Sequence, residues 1–134
     1  MEHDRLQALP PFAGMSDAGL ARVAACSAEL EAEAGQVVAL ADDRGTGMFV
    51  LEEGNVAVEL RGDSIELGPG DFFGELALLV EDGARVARVR ATTKVCCLTI
   101  PREDFLALVE TEPTFALHLL RELARRLAEA RAGA

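Results

Sequence analysis

The chain has 134 residues, half of them hydrophobic, and a formal charge of −10. That length suits one domain with one core, and a surface so acidic repels phosphate backbones, which argues against nucleic acid and anionic membrane as partners. No apolar run approaches the ~20 residues of a membrane span, and Met1-Glu2-His3-Asp4-Arg5 lacks the apolar stretch of a signal peptide, so the expected location is cytoplasmic.

Residues 4–33 read as helical, interrupted by Pro10-Pro11, with Ser16 as an N-cap followed by Leu20, Val23 and Ala24 at helical spacing. From residue 36 the period changes to two. Val37, Ala39 and Ala41 alternate with their neighbours, Phe49 and Leu51 share one face of the next strand, and Val56, Val58 and Leu60 share one face of another. Turns fall at Glu52-Glu53-Gly54-Asn55, at Arg61-Gly62-Asp63 and at Gly68-Pro69-Gly70-Asp71, with Ile65 and Leu67 on a short strand between the last two. Short strands at this spacing point to an antiparallel sandwich or barrel. Glu75 to Leu79 are strong helix formers but too few for an independent helix. Two more strands follow over 85–92 and 94–100. Pro101 opens a helix over 102–110, and Pro113 starts a longer one to about residue 131. The apolar stripe of that last helix is Ala116, Leu119, Leu120, Leu123, Leu127 and Ala130, and at least one of its leucines is expected to stay exposed. The expected plan is mainly β with flanking helices: N-terminal helices, a β-region over 36–100 and C-terminal helices over 101–131.

The chain contains no tryptophan or tyrosine, and its phenylalanines are scattered, so the core is expected to be mostly Leu, Val, Ala and Ile. Cys26, Cys96 and Cys97 form an odd set without CxxC spacing. Adjacent strand residues face opposite ways, so of Cys96 and Cys97 one thiol belongs in the core and one outside. His3 and His118 are isolated, which argues against a metal site and metal-dependent chemistry.

The informative stretch runs from Gly70 to Ala91, GDFFGELALLVEDGARVARVRA. It reads as a loop, a helical turn, a loop and a strand. A helix N-terminus offers unpaired N–H groups to an anion. Gly74 leaves room for a ligand to approach that end, and Arg85 can fork onto a phosphate. Glu75 suits sugar hydroxyls, or equally the first turn of a helix. Arg85, Arg88 and Arg90 together make a local basic patch, which fits either a held anion or the exposed face of a strand.

This segment resembles the phosphate-binding cassette of the cyclic-nucleotide-binding domain family. The matching residues are Phe73-Gly74-Glu75-Leu76-Ala77-Leu78-Leu79 and then Arg85-Val86-Ala87-Arg88-Val89-Arg90-Ala91. Gly35, Gly54, Val56 and Gly70-Asp71 also fall where the family pattern expects them, so the resemblance covers about residues 6–128. It implies an antiparallel β-roll, jelly-roll-like, with an N-terminal helix and two C-terminal helices. It implies a ligand-binding set of Gly74, Glu75, Leu76, Ala77, Arg85, Val86 and Ala87. In that set Glu75 accepts from the ribose 2′-hydroxyl, Arg85 pairs with the cyclic phosphate, and the N–H groups of Ala77 and Val86 point at phosphate oxygens. Val50, Leu60 and Phe72 are candidates for the apolar wall near the base, or else plain core.

Two positions depart from the pattern. Val86 has no hydroxyl where Ala, Ser or Thr is usual, which favours cAMP over cGMP. Arg88 stands where Thr, Ser or an aromatic is common and is expected to face solvent. The last helix stops early, with no hydroxyl or aromatic at its end to read a base edge. The function implied is a stand-alone cAMP receptor module with no catalysis and no cofactor. It would act on a separate effector protein, with a homodimer seam over 113–131. The alternative is a degenerate relative that binds no nucleotide and serves as an interaction or dimerisation module. A cupin-like enzyme lacks the ligands it would need, and a winged helix-turn-helix would need roughly 60 further residues.

Overall fold

The computed structural model describes residues 2–39, 47–60, 63–74 and 88–132. Three short helical pieces open the chain: α1 (His3–Gln7), a 3₁₀ turn (Pro10–Phe12) and α2 (Asp17–Cys26). Ser16 caps α2, its hydroxyl accepting from the Gly19 N–H at 3.1 Å. The strands are β1 (Ala28–Ala32), β2 (Val37–Ala39), β3 (Gly47–Glu53), β4 (Val56–Leu60), β5 (Asp63–Leu67), β6 (Phe72–Phe73), β7 (Arg88–Ala91) and β8 (Val95–Pro101). Two helices close the chain, α3 (Arg102–Thr111) and α4 (Pro113–Ala132).

The helical reading of 4–33 runs too far. Ala28–Ala32 is a strand paired antiparallel with β8, from Ala28↔Thr99 to Ala32↔Val95. The sequence AELEA is rich in helix formers, but it also alternates, and pairing with a neighbouring strand overrides intrinsic propensity. Ser27 turns the chain out of α2 with ψ 149.

The strands form two antiparallel four-stranded sheets, ordered β1-β8-β3-β6 and β2-β7-β4-β5. Gly54 makes the β3–β4 turn at φ 83, and a Cβ there would lie 2.1 Å from the Lys94 carbonyl oxygen, so only glycine fits.

The first sheet has a core on each face. Its helix side carries Met48, Val50, Phe72, Leu98 and Ile100, packed against Leu6, Phe12, Leu20, Phe105, Leu108 and Phe115. Its other face carries Leu51, Phe73 and Cys97, packed against Val56, Leu67, Val89 and Ala91 of the second sheet. The phenylalanines scattered in sequence converge here: Phe12, Phe72, Phe105 and Phe115 are the largest fully buried side chains. Phe115 stacks on Phe12 at 6.1 Å and meets Phe105 edge-on at 5.9 Å. Burying each such ring stabilises the fold by roughly 1.5–3 kcal/mol. The core is therefore mostly aliphatic between the sheets, with the Phe49–Phe73 pair as its aromatic part, and richer in aromatics under the helices. Cys97 is buried and Cys96 half-buried, both as free thiols. Burial pushes the Cys97 thiol up to about 12.

The stripe on α4 divides as its sequence reading expected, with some leucines left exposed. Leu119 is buried and Leu123 packs against the helix-side core, but Leu120 and Leu127 are 65% and 59% exposed. Adjacent leucines on a helix are 100° apart, so Leu119 and Leu120 cannot both face the sheet.

Candidate functional site

The strand β6 is placed by a tight turn and two short registers. Gly68 N–H donates to the Asp71 carboxylate at 2.9 Å and Asp71 N–H to the Gly68 carbonyl at 3.0 Å, closing the turn. Phe72 then pairs with Val50 and Phe73 with Phe49. Gly74 follows at φ 89, a left-handed conformation that favours glycine. The chain thus leaves the first sheet at Gly74 and enters the second at Arg88, where β7 pairs with β4. Glu75, Leu76, Ala77, Arg85, Val86 and Ala87 lie outside the described residues. Gly74 is the member of the ligand-binding set whose conformation is seen.

The wall residues need correction. Val50 and Phe72 are fully buried in the helix-side cluster, on the face of the first sheet turned away from the second. Leu60 ends β4, and its side chain lies outside the described residues. The apolar side chains on the between-sheet side are instead Phe49 and Phe73, whose rings stack at 4.7 Å and 4°. Val58, Ile65, Val38 and Leu30 are partly buried against the same cluster. A wall for a guest needs apolar atoms that are packed on one side and free on the other, and these half-buried residues have that character. Strict alternation carried the signal. Phe49 and Leu51 share a face, so Val50 points the other way, and Phe72 opposes it in register.

The described part of the basic patch, Arg88 and Arg90, forms an outer-face network. Arg88 and Arg90 both donate to the Glu59 carboxylate, at 3.3 and 3.1 Å from their Nε atoms. Arg90 also donates to the Gly35 carbonyl at 2.7 Å. The Arg88 hydrogen bond, with that of Arg90, holds the Glu59 carboxyl below its usual range. The Arg88 side chain is 44% exposed, so it faces solvent as the sequence suggested.

A contact that sequence reasoning missed joins α4 to β6. Arg126 donates to the Phe72 carbonyl at 2.8 Å, and its guanidinium sits 4.5 Å above the Phe72 ring. His118 meets the same ring edge-on at 6.0 Å, and burial lowers the pKa of its imidazole. Nothing in the sequence pairs residues 54 positions apart, so no local signal announces this contact. Among the described residues no group of three or more His, Cys, Asp or Glu could hold a metal ion, and no helix is long and apolar enough to cross a membrane.

With this geometry in hand, comparison with known proteins is informative. The family model for the cyclic nucleotide-binding domain matches residues 29–112. The chain is 35% identical over 127 residues to a cyclic nucleotide-gated potassium channel of Mesorhizobium japonicum, covering 95% of this chain and 34% of the channel. It is 38% identical over 94 residues to the cyclic AMP receptor protein of Thermus thermophilus, covering 66% of this chain and 43% of that protein. The crystal structure of the Thermus thermophilus catabolite activator protein superposes with a TM-score of 0.74 at 31% identity, over 92% of this chain and 61% of that one. The chain therefore spans about a third of the length of the curated channels it matches.

Proposed function

The chain belongs to the cyclic nucleotide-binding domain family, and from that premise we propose that it is a regulatory, non-catalytic receptor that binds cAMP in preference to cGMP. The observation that carries this reading is Gly74, left-handed at the end of β6 and directly after the stacked Phe49–Phe73 pair, where the FGELALL motif begins. The sugar of the nucleotide lies against Gly74, with its 2′-hydroxyl on Glu75 and its phosphate on Arg85. The pairing of both Arg88 and Arg90 with Glu59 on the outer face supports giving the phosphate to Arg85. It also removes Arg88 as a reason to regard the pocket as degenerate. The preference for cAMP rests on Val86, which has no hydroxyl to offer a guanine.

Calorimetric titration tests this reading. The wild type binds cAMP more tightly than cGMP. Arg85→Ala loses a charge-assisted phosphate contact and about 2–5 kcal/mol of cAMP affinity. Val86→Thr raises cGMP affinity more than cAMP affinity. Absence of binding in the wild type would favour the alternative, an interaction module that takes no nucleotide.

The signal passes to a separate effector through α4, which also forms a homodimer seam over 113–131. Leu117, Leu120, Ala124 and Leu127 are all exposed and recur at 3-4-3 spacing along one side of the helix. That spacing suits the seam of a two-stranded coiled coil, and Arg125, paired with Glu122 and Glu129, lies beside it. Sedimentation that finds only monomer at high concentration would remove the dimer from this account.

A further inference from the structure

Among the described residues, the buried polar or charged side chain is Glu112, 7% exposed, and it stands at the break between α3 and α4. Its backbone ends one helix and starts the next. The Glu112 N–H donates to the Leu108 carbonyl at 2.8 Å, and its own carbonyl accepts from Ala116 N–H at 3.1 Å. Between those bonds the residue is extended, with φ −119 and ψ 93. Any change in the angle between α3 and α4 passes through these two dihedrals.

The side chain is held by a third helix. Ser16 N–H donates to Glu112 Oε1 at 2.8 Å and the Ser16 hydroxyl to Oε2 at 2.8 Å, while the same hydroxyl accepts from Gly19 N–H. The carboxylate therefore completes the cap of α2. A Cβ at Gly19 would lie 2.6 Å from the Glu112 carboxyl carbon and 2.6 Å from Met15 Cγ, so glycine is what admits the carboxylate. The N-terminal segment carrying Ser16 reaches the other side too, since a Cβ at Gly70 would meet Pro10 Cδ at 3.1 Å. Gly70 belongs to the turn that sets β6 and Gly74.

We propose that Glu112 is a positioning residue: its carboxylate on Ser16 fixes the α3–α4 angle and ties the start of α4 to the N-terminal segment, so that α4 responds to ligand from a defined rest position. A carboxylate on two short bonds suits this role better than apolar packing. Such bonds are directional, and a buried carboxylate left without them is strongly disfavoured. The ligand-response half of the proposal rests on the receptor function given above.

Hydrogen exchange on the full chain tests both halves. Without ligand, Glu112→Ala and Gly19→Ala each speed exchange over 112–119 by more than tenfold, since Glu112→Ala loses both charge-assisted hydrogen bonds and each is worth about tenfold. Glu112→Gln, which keeps an acceptor for Ser16 N–H, stays close to wild type. Ser16→Ala, which keeps the backbone donor, falls between. With cAMP added, wild type and Glu112→Gln change their exchange along α4. Glu112→Ala binds cAMP and changes near 70–74 but not along α4. Wild-type exchange over 112–119 in both Glu112→Ala and Gly19→Ala, or an undiminished α4 response in Glu112→Ala, would overturn the proposal. If the wild type binds no cAMP, the receptor reading fails, and the ligand-free comparison alone decides whether Glu112 sets the helix angle.

Discussion

The two faces of the first sheet are built differently from the same strands. Val50 and Phe72 point into a core closed by Phe12, Phe105 and Phe115 and by leucines of four helices, Leu6, Leu20, Leu108 and Leu119. Their chain neighbours Phe49 and Phe73 point between the sheets, where Phe49, Val58 and Ile65 remain only partly buried. A close-packed aromatic core has no slack, because removing even one methylene is felt. Both cores have half-buried members at their margins, Leu106, Val109 and Leu123 on the helix side and Phe49, Val58 and Ile65 between the sheets. The difference therefore lies in the aromatic filling of the helix side and in the motif that begins beside Phe49 and Phe73. That difference assigns stability to the helix side, and the proposed receptor function places guest binding on the roll side.

The largest effect expected from this comparison is at Phe115. Phe115→Ala removes a fully buried ring between Phe12 and Phe105 and costs about 3–5 kcal/mol in denaturant unfolding. A small cost would mean that the helix side is not the tight core described here.

Thiol labelling sharpens the comparison by bounding how far the roll side is open. Cys97 lies fully buried within the between-sheet cluster, and its thiol is held up at about 12 by burial. Its folded pKa is raised, so it stays the unreactive thiol at pH 8, and its contribution to stability is lost only as the solution becomes strongly alkaline. Cys97 is expected to label only as the protein unfolds, with Cys96 and Cys26 labelling first. Rapid labelling of Cys97 in the folded state would show solvent reaching deep between the sheets. The smallest effect belongs to the outer face of the second sheet. Arg88→Ala breaks an exposed ion pair and shifts stability by no more than about 0.5 kcal/mol, with cAMP affinity unchanged in titration. A clear loss of affinity would return Arg88 to the pocket.

The alternation of Val56 and Val58, the turn glycines, the Ser16 cap and the prolines that open α3 and α4 are local features, and each was legible in the sequence. What escaped was decided at a distance. Ala28–Ala32 becomes a strand because β8 pairs with it, against its own propensity. Which side of the sheet Val50 serves depends on where the helices return. The tie from Glu112 to Ser16 spans 96 positions. The wall candidates failed for a different reason: Val50 and Phe72 are apolar and near the motif in sequence, but β-pleating turns them away from it. The cassette residues 75–87 are named by motif, and their placement lies outside the described residues.

Methyl NMR during a cAMP titration tests the central claim most directly, because it reads both cores at once. The account predicts that the methyl signals of Val58 and Ile65, on the roll side, shift most, and that those of Leu20 and Leu108, under the helices, hold nearly still. Large shifts at Leu20 and Leu108 with none at Val58 and Ile65, or no shift anywhere at saturating cAMP, would contradict it.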